Sequence, residues 1–103
     1  MGALPMWRAR EAEMQSANHI NVLVLEEDGG LFAQCIEYNI AVQAKDIATL
    51  HKRFELTFLL EAKDGLDRIG PAPEIYKEIF ERGLTQGSES QIDSHTISYL
   101  KAA

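Results

Sequence analysis

Between His19 and Glu26 apolar and polar residues alternate as they do in a strand. Ile20, Val22 and Val24 fall on one side; Asn21, Leu23 and Leu25 fall on the other. Val and Ile favour the pleated, half-buried surface of a sheet. Glu27-Asp28-Gly29-Gly30 then interrupts the run. Asp-Gly between two such runs predicts a hairpin, because Gly accepts the positive φ of the tight turns. Leu31 to Glu37 reads as the second strand, with Leu31, Ala33 and Cys35 alternating with Phe32, Gln34 and Ile36. Tyr38-Asn39 reads as a turn and Ile40 to Ala44 as a third strand. The three predict an antiparallel meander.

At Asp46 the period changes to that of a helix. Asp46 is a good N-cap for a helix running to about Ala62. Ile47, Leu50, Phe54 and Phe58 form one apolar stripe that can cover the sheet. Leu56, Leu59 and Leu60 fall on the opposite side. A helix apolar on two sides wants two covers, the second being another helix or a partner subunit. Pro71-Ala72-Pro73 leads into a shorter helix from Glu74 to Arg82, closed by Gly83. Its Ile75–Ile79 and Tyr76–Phe80 pairs can cover the three leucines or pack on another chain. Thr85 to Gln91 is polar and reads as a linker, and His95 to Leu100 alternates weakly, as a fourth strand or a tail.

The expected fold class is therefore α+β: a three-stranded antiparallel β-meander, a long helix packed on one face and a second, shorter helix. The expected organisation is a flexible or helical leader over 1–18, one domain over 19–83, and a linker and tail over 84–103. Within the leader, Met6 to Ser16 carries Trp7, Arg8, Arg10, Glu11 and Glu13, and Met14 is an alternative start.

Composition narrows the function. The 103 residues suit one domain, and 46% hydrophobic with 25% charged residues is ordinary for a globular protein. The net charge of −6 argues against a duplex-binding surface, which needs clustered Lys and Arg. No stretch approaches the roughly 20 apolar residues of a membrane span. Met1 to Met6 shows no secretory signal, and Met6 stands where myristoylation needs Ser or Thr. The lone Cys35 has no internal disulfide partner, so a cytoplasmic location is expected.

Candidate chemistry is sparse. Glu26, Glu27 and Asp28 are consecutive carboxylates beside a turn. Neighbouring strand residues point to opposite faces, so a solvated turn fits them better than a metal cage. His19, His51 and His95 are the histidines; a Cys35–His51 pair is a candidate nucleophile with a base, but a mid-strand Cys35 reads first as a small buried hydrophobe. There is no GxSxG, HExxH, paired CxxC or P-loop. The aromatic residues lack interleaved Lys or Arg and read as core rather than as base-stacking platforms. No catalytic residue, metal or cofactor is expected.

The stretch from Leu23 to Glu61 resembles a HicB-like antitoxin domain. Asp28, Gly29, Gly30, Phe32, Ala33, Gln34, Cys35, Gln43 and Asp46 match its pattern in order. Ile36 stands where the family often has Pro, and Lys45-Asp46-Ile47 where it often has Gly-Asp-Thr. The resemblance implies a degenerate RNase H-like fold and a non-catalytic role. Such domains bind and block a small basic RNA-cleaving toxin and self-associate. It also implies a C-terminal DNA-binding segment, but the residues after Gly83 hold no basic helix, which argues against operator binding here. Two hypotheses result. The first is a protein-interaction domain that binds a toxin through Glu26, Glu27 and Asp28 and forms a dimer or tetramer through Leu56, Leu59, Leu60, Tyr76 and Phe80. The alternative is a metal-dependent nuclease of degenerate RNase H-like fold, resting on fold analogy alone, or an orphan domain of unknown function.

Overall fold

The computed structural model describes residues 18–102. Strands β1 (His19–Glu27), β2 (Gly30–Cys35) and β3 (Ala41–Ala44) pair antiparallel in chain order. The β1–β2 turn is the two-residue Asp28-Gly29, both with positive φ (40° and 77°). Gly29 takes that conformation freely, and Asp tolerates it better than most side chains.

Helix α1 (Ile47–Lys63) follows. The Asp46 carboxylate accepts from the Thr49 N–H at 2.8 Å and from the Thr49 hydroxyl at 3.0 Å. These bonds satisfy a backbone donor that the first turn leaves open. They also hold the Asp46 carboxyl below its usual range. Leu50, Phe54 and Phe58 are fully buried against one sheet face with Ile20, Val22, Ala33, Cys35, Ile97 and Tyr99. Among the described residues, no helix is long and apolar enough to cross a membrane.

The sheet is larger than a three-stranded meander. Residues 84–102 form β4 (Leu84–Ile92) and β5 (His95–Ala102), and the strand order is β3-β2-β1-β5-β4. β5 lies beside β1 and parallel to it; every other pair is antiparallel. The segment read as linker is thus an edge strand, and the segment read as fourth strand or tail is interior to the sheet. The reason is physical. β4 pairs on one side only and most of its side chains face water, so backbone pairing to β5 holds it and no apolar alternation is needed. Its register shifts between Gln86 and Glu89. Gly87 sits in this bulge, where a Cβ would stand 3.0 Å from the Tyr99 carbonyl oxygen. Residues 84–102 therefore belong to the same sheet as 19–44. The leader, apart from Asn18, lies outside the described residues.

Helix α2 (Glu74–Glu81) is also placed differently. Its Tyr76 ring meets Phe32, with centroids 5.8 Å apart, on the sheet face that α1 does not cover. Its approach is stitched by the Asn39 N–H to the Gly70 carbonyl (2.7 Å) and the Ala72 N–H to the Ile36 carbonyl (3.2 Å). Helix α2 consequently does not cover Leu56, Leu59 and Leu60, which are 57%, 36% and 65% exposed. The second face also buries polar groups, Asn21, Gln34 and Ser98. Asn21 donates through its backbone N–H and Nδ2 to the Glu37 carboxylate at 2.8 and 2.7 Å, and Ser98 Oγ lies 3.0 Å from His19 Nε2.

Candidate functional site

The β1–β2 turn carries Glu26, Glu27 and Asp28 to one end of the sheet, where all three are exposed. Among the described residues no ion pair reaches any of them; the ion pairs seen join Arg68 to Glu61 and Asp64. They line a hollow of about 540 Å³ together with Leu31 and Lys45. This hollow adjoins a polar cleft of about 610 Å³ that reaches Gln43, Asp46, Thr49 and Arg53 at the start of α1. Arg53 Nη1 donates to the Gln43 carbonyl at 2.7 Å, which ties the helix to β3 beside the cleft. Among the described residues, no three His, Cys, Asp or Glu side chains are grouped to hold a metal ion. What the arrangement can do is electrostatic: the turn presents carboxylates that no ion pair reaches among the described residues, beside Lys45 and next to a cleft whose own Asp46 is committed to capping.

The five residues expected to mediate self-association do not form one surface. Leu56, Leu59 and Leu60 share the outer side of α1. Tyr76 lies against Phe32 on the other sheet face, and Phe80 is half-buried on the same helix as Tyr76. The leucine cluster is therefore an exposed apolar surface in its own right.

Cys35 and His51 have other neighbours. Cys35 is buried, with its Sγ 3.8 Å from Glu37 Oε1. Burial, and then the Glu37 charge, push its thiol up to about 12, so no reactive thiolate forms at neutral pH. The His51 ring stacks on Tyr99, with centroids 3.8 Å apart and planes 20° from parallel. Burial likewise pushes the Tyr99 hydroxyl up to about 12, and Ser90 and Glu55 face it. Among the described residues, His51 Nε2, Ser90 Oγ and Tyr99 Oη are buried without a hydrogen-bond partner. Sequence reasoning missed this polar cluster, because it joins α1 to β5 and to a strand read as linker.

The cluster predicts a pH dependence of stability. Burial lowers the His51 pKa from 6.5, with Lys101 adding to the shift and Glu55 opposing it. A base whose folded pKa is depressed is favoured neutral in the fold, so the unfolded chain binds the extra proton. Stability is thus complete above the unfolded pKa and falls as pH drops below it. The melting temperature should decline between roughly pH 7.5 and 5.5, the range in which histidine titrates. His51→Phe should keep the stacking and flatten that decline; an unchanged slope would assign it to other groups.

Comparison with protein-family models, with curated proteins and with solved structures finds no match to this chain.

Proposed function

We propose that this chain is a non-catalytic, cytoplasmic protein-interaction domain that acts as the toxin-neutralising part of a HicB-type antitoxin does. The observation that carries the reading is the set of three exposed carboxylates on the β1–β2 turn, which no ion pair reaches among the described residues. The ordered motif from Asp28 to Asp46 and the run of three antiparallel strands followed by a helix support it. In this reading the domain acts sterically. It covers the RNA-binding surface of a small basic toxin, with Glu26, Glu27 and Asp28 facing the toxin's cations. The leucines on the outer side of α1 join copies of the chain, and Tyr76 and Phe80 are left out of that contact.

The test is capture of the tagged chain from its source cells. A small basic protein should come with it in fixed proportion, and RNA cleavage by that protein should stop when the chain is added back. Recovery of the chain alone, or a partner whose cleavage is unaffected, would overturn the proposal. Light scattering should give a multiple of the monomer mass that reverts to one copy on Leu56→Ser with Leu60→Ser; a monomeric wild type would end the self-association part.

A further inference from the structure

The inner stripe of α1 outruns the core beneath it. Leu50, Phe54 and Phe58 are fully buried, as their spacing requires. Ile47 continues the same stripe by one turn and is 40% exposed. The strands explain the difference. At this end β1 leaves its apolar run for Glu26-Glu27, and β5 ends in Lys101 and Ala102. Ile47 therefore hangs over a hollow of about 440 Å³ walled by Val24, Leu25, Leu31 and Ile47, with Glu26 and Lys101 completing it. Nothing in the described chain fills this hollow. It touches the acidic turn directly, since Glu26 and Leu31 line both this hollow and the one at the turn.

An apolar hollow beside unpaired charge is the arrangement of an anchor site: one buried side chain supplies affinity, and rim charges select its neighbours. The rim of this hollow carries Glu26 and Lys101; with the adjoining turn, three carboxylates, Glu26, Glu27 and Asp28, stand against two lysines, Lys45 and Lys101, an acidic excess on a chain whose net charge is −6. A second copy would bring the same acidic excess to this end of the sheet, which is less favourable than a basic segment. We propose that this hollow is the anchor pocket of the partner surface, taking one aliphatic or aromatic side chain that is flanked in the partner by Lys or Arg. The assignment rests on the function proposed above and adds the recognition element: an apolar residue embedded in a basic segment.

The experiment is a titration of the full chain, followed by amide NMR shifts, with three synthetic peptides. These are Lys-Arg-Leu-Arg-Lys, the same peptide with Gly for Leu, and Glu-Asp-Leu-Asp-Glu. The first should shift the amides of Val24, Leu31 and Ile47. The glycine peptide should bind at least about tenfold more weakly, the loss expected when one leucine side chain is no longer buried. The acidic peptide should not bind. Ile47→Ser alters a part-exposed position and should reduce the leucine peptide to the affinity of the glycine peptide, whereas Glu26→Gln should weaken both basic peptides. Equal binding of the two basic peptides would end the pocket assignment yet leave the acidic turn as a recruiter of cations. Binding of none would end the assignment and remove the electrostatic support for the proposed function. Shifts of the pocket amides on concentration alone would assign the hollow to a second copy, and shifts on Trp7→Ala without peptide would assign it to this chain's own residues. Either result would overturn the assignment. The peptide pair on the unaltered chain decides the matter even if a variant fails to fold.

Discussion

Phe54→Ala should lower the stability of this protein by about 3–5 kcal/mol, the range for emptying a buried aromatic site. Phe54 has no exposed surface. Its ring lies 6.1 Å from Phe58 and 6.2 Å from Tyr99, edge-on to the latter, so it joins the centre of α1 to β5. Deletion removes apolar burial and leaves a cavity that neighbours held by backbone pairing fill only in part. Domains of ordinary stability hold about 5–15 kcal/mol, so the variant should unfold at a much lower urea midpoint or be partly unfolded in buffer. Leu60→Ala is the matched control. Leu60 is on the same helix but 65% exposed, and at a dilution where the chain is a single copy its loss should stay within about 0.5 kcal/mol. Urea unfolding followed by circular dichroism separates the two cases. A loss for Phe54→Ala as small as that for Leu60→Ala would mean that α1 is not seated on the sheet.

That contrast marks what local pattern can reveal. The period of Ile47, Leu50, Phe54 and Phe58 identifies the inner side of α1 without reference to any distant residue, and three of the four are buried. The Asp28-Gly29 turn is legible for the same reason, because two neighbouring residues decide it. The position of β5 is not of that kind. Ile97 and Tyr99 alternate with Thr96 and Ser98, but what makes the strand interior is a parallel partner far away in the chain. β4 carries no apolar alternation, since its cover is water on most side chains and its hold is the ladder to β5. The Pro-led helix was legible as an element and not in its placement, because Tyr76 could meet either the leucines or Phe32 with equal local warrant. The same division runs through the site. Glu26, Glu27 and Asp28 are visible as a run of charge, whereas the hollow under Ile47 depends on where the strands stop, and the His51–Tyr99 stack depends on the pairing of β5.

Replacing Glu26, Glu27 and Asp28 by Gln, Gln and Asn should slow association with a basic partner by about tenfold or more at low salt, the lower end of what electrostatic steering supplies. The three side chains are exposed and, among the described residues, no ion pair reaches them, so the substitution should leave the fold intact. Their field acts during encounter, before the surfaces touch, so the effect should fall mainly on the association rate rather than on dissociation. It should also shrink as ionic strength rises, because the screening length drops to about 8 Å at physiological salt. Stopped-flow mixing at two salt concentrations measures both features. The decisive comparison is a second variant with Glu74, Glu78 and Glu81 of α2 changed to Gln, which alters net charge by the same amount on a different element. If net charge alone drives encounter, both variants slow equally and the turn has no special role. If the turn is the docking surface, the α2 variant keeps most of the wild-type rate while the turn variant does not. An association rate at low salt that the turn variant leaves unchanged would remove these three carboxylates from the interface.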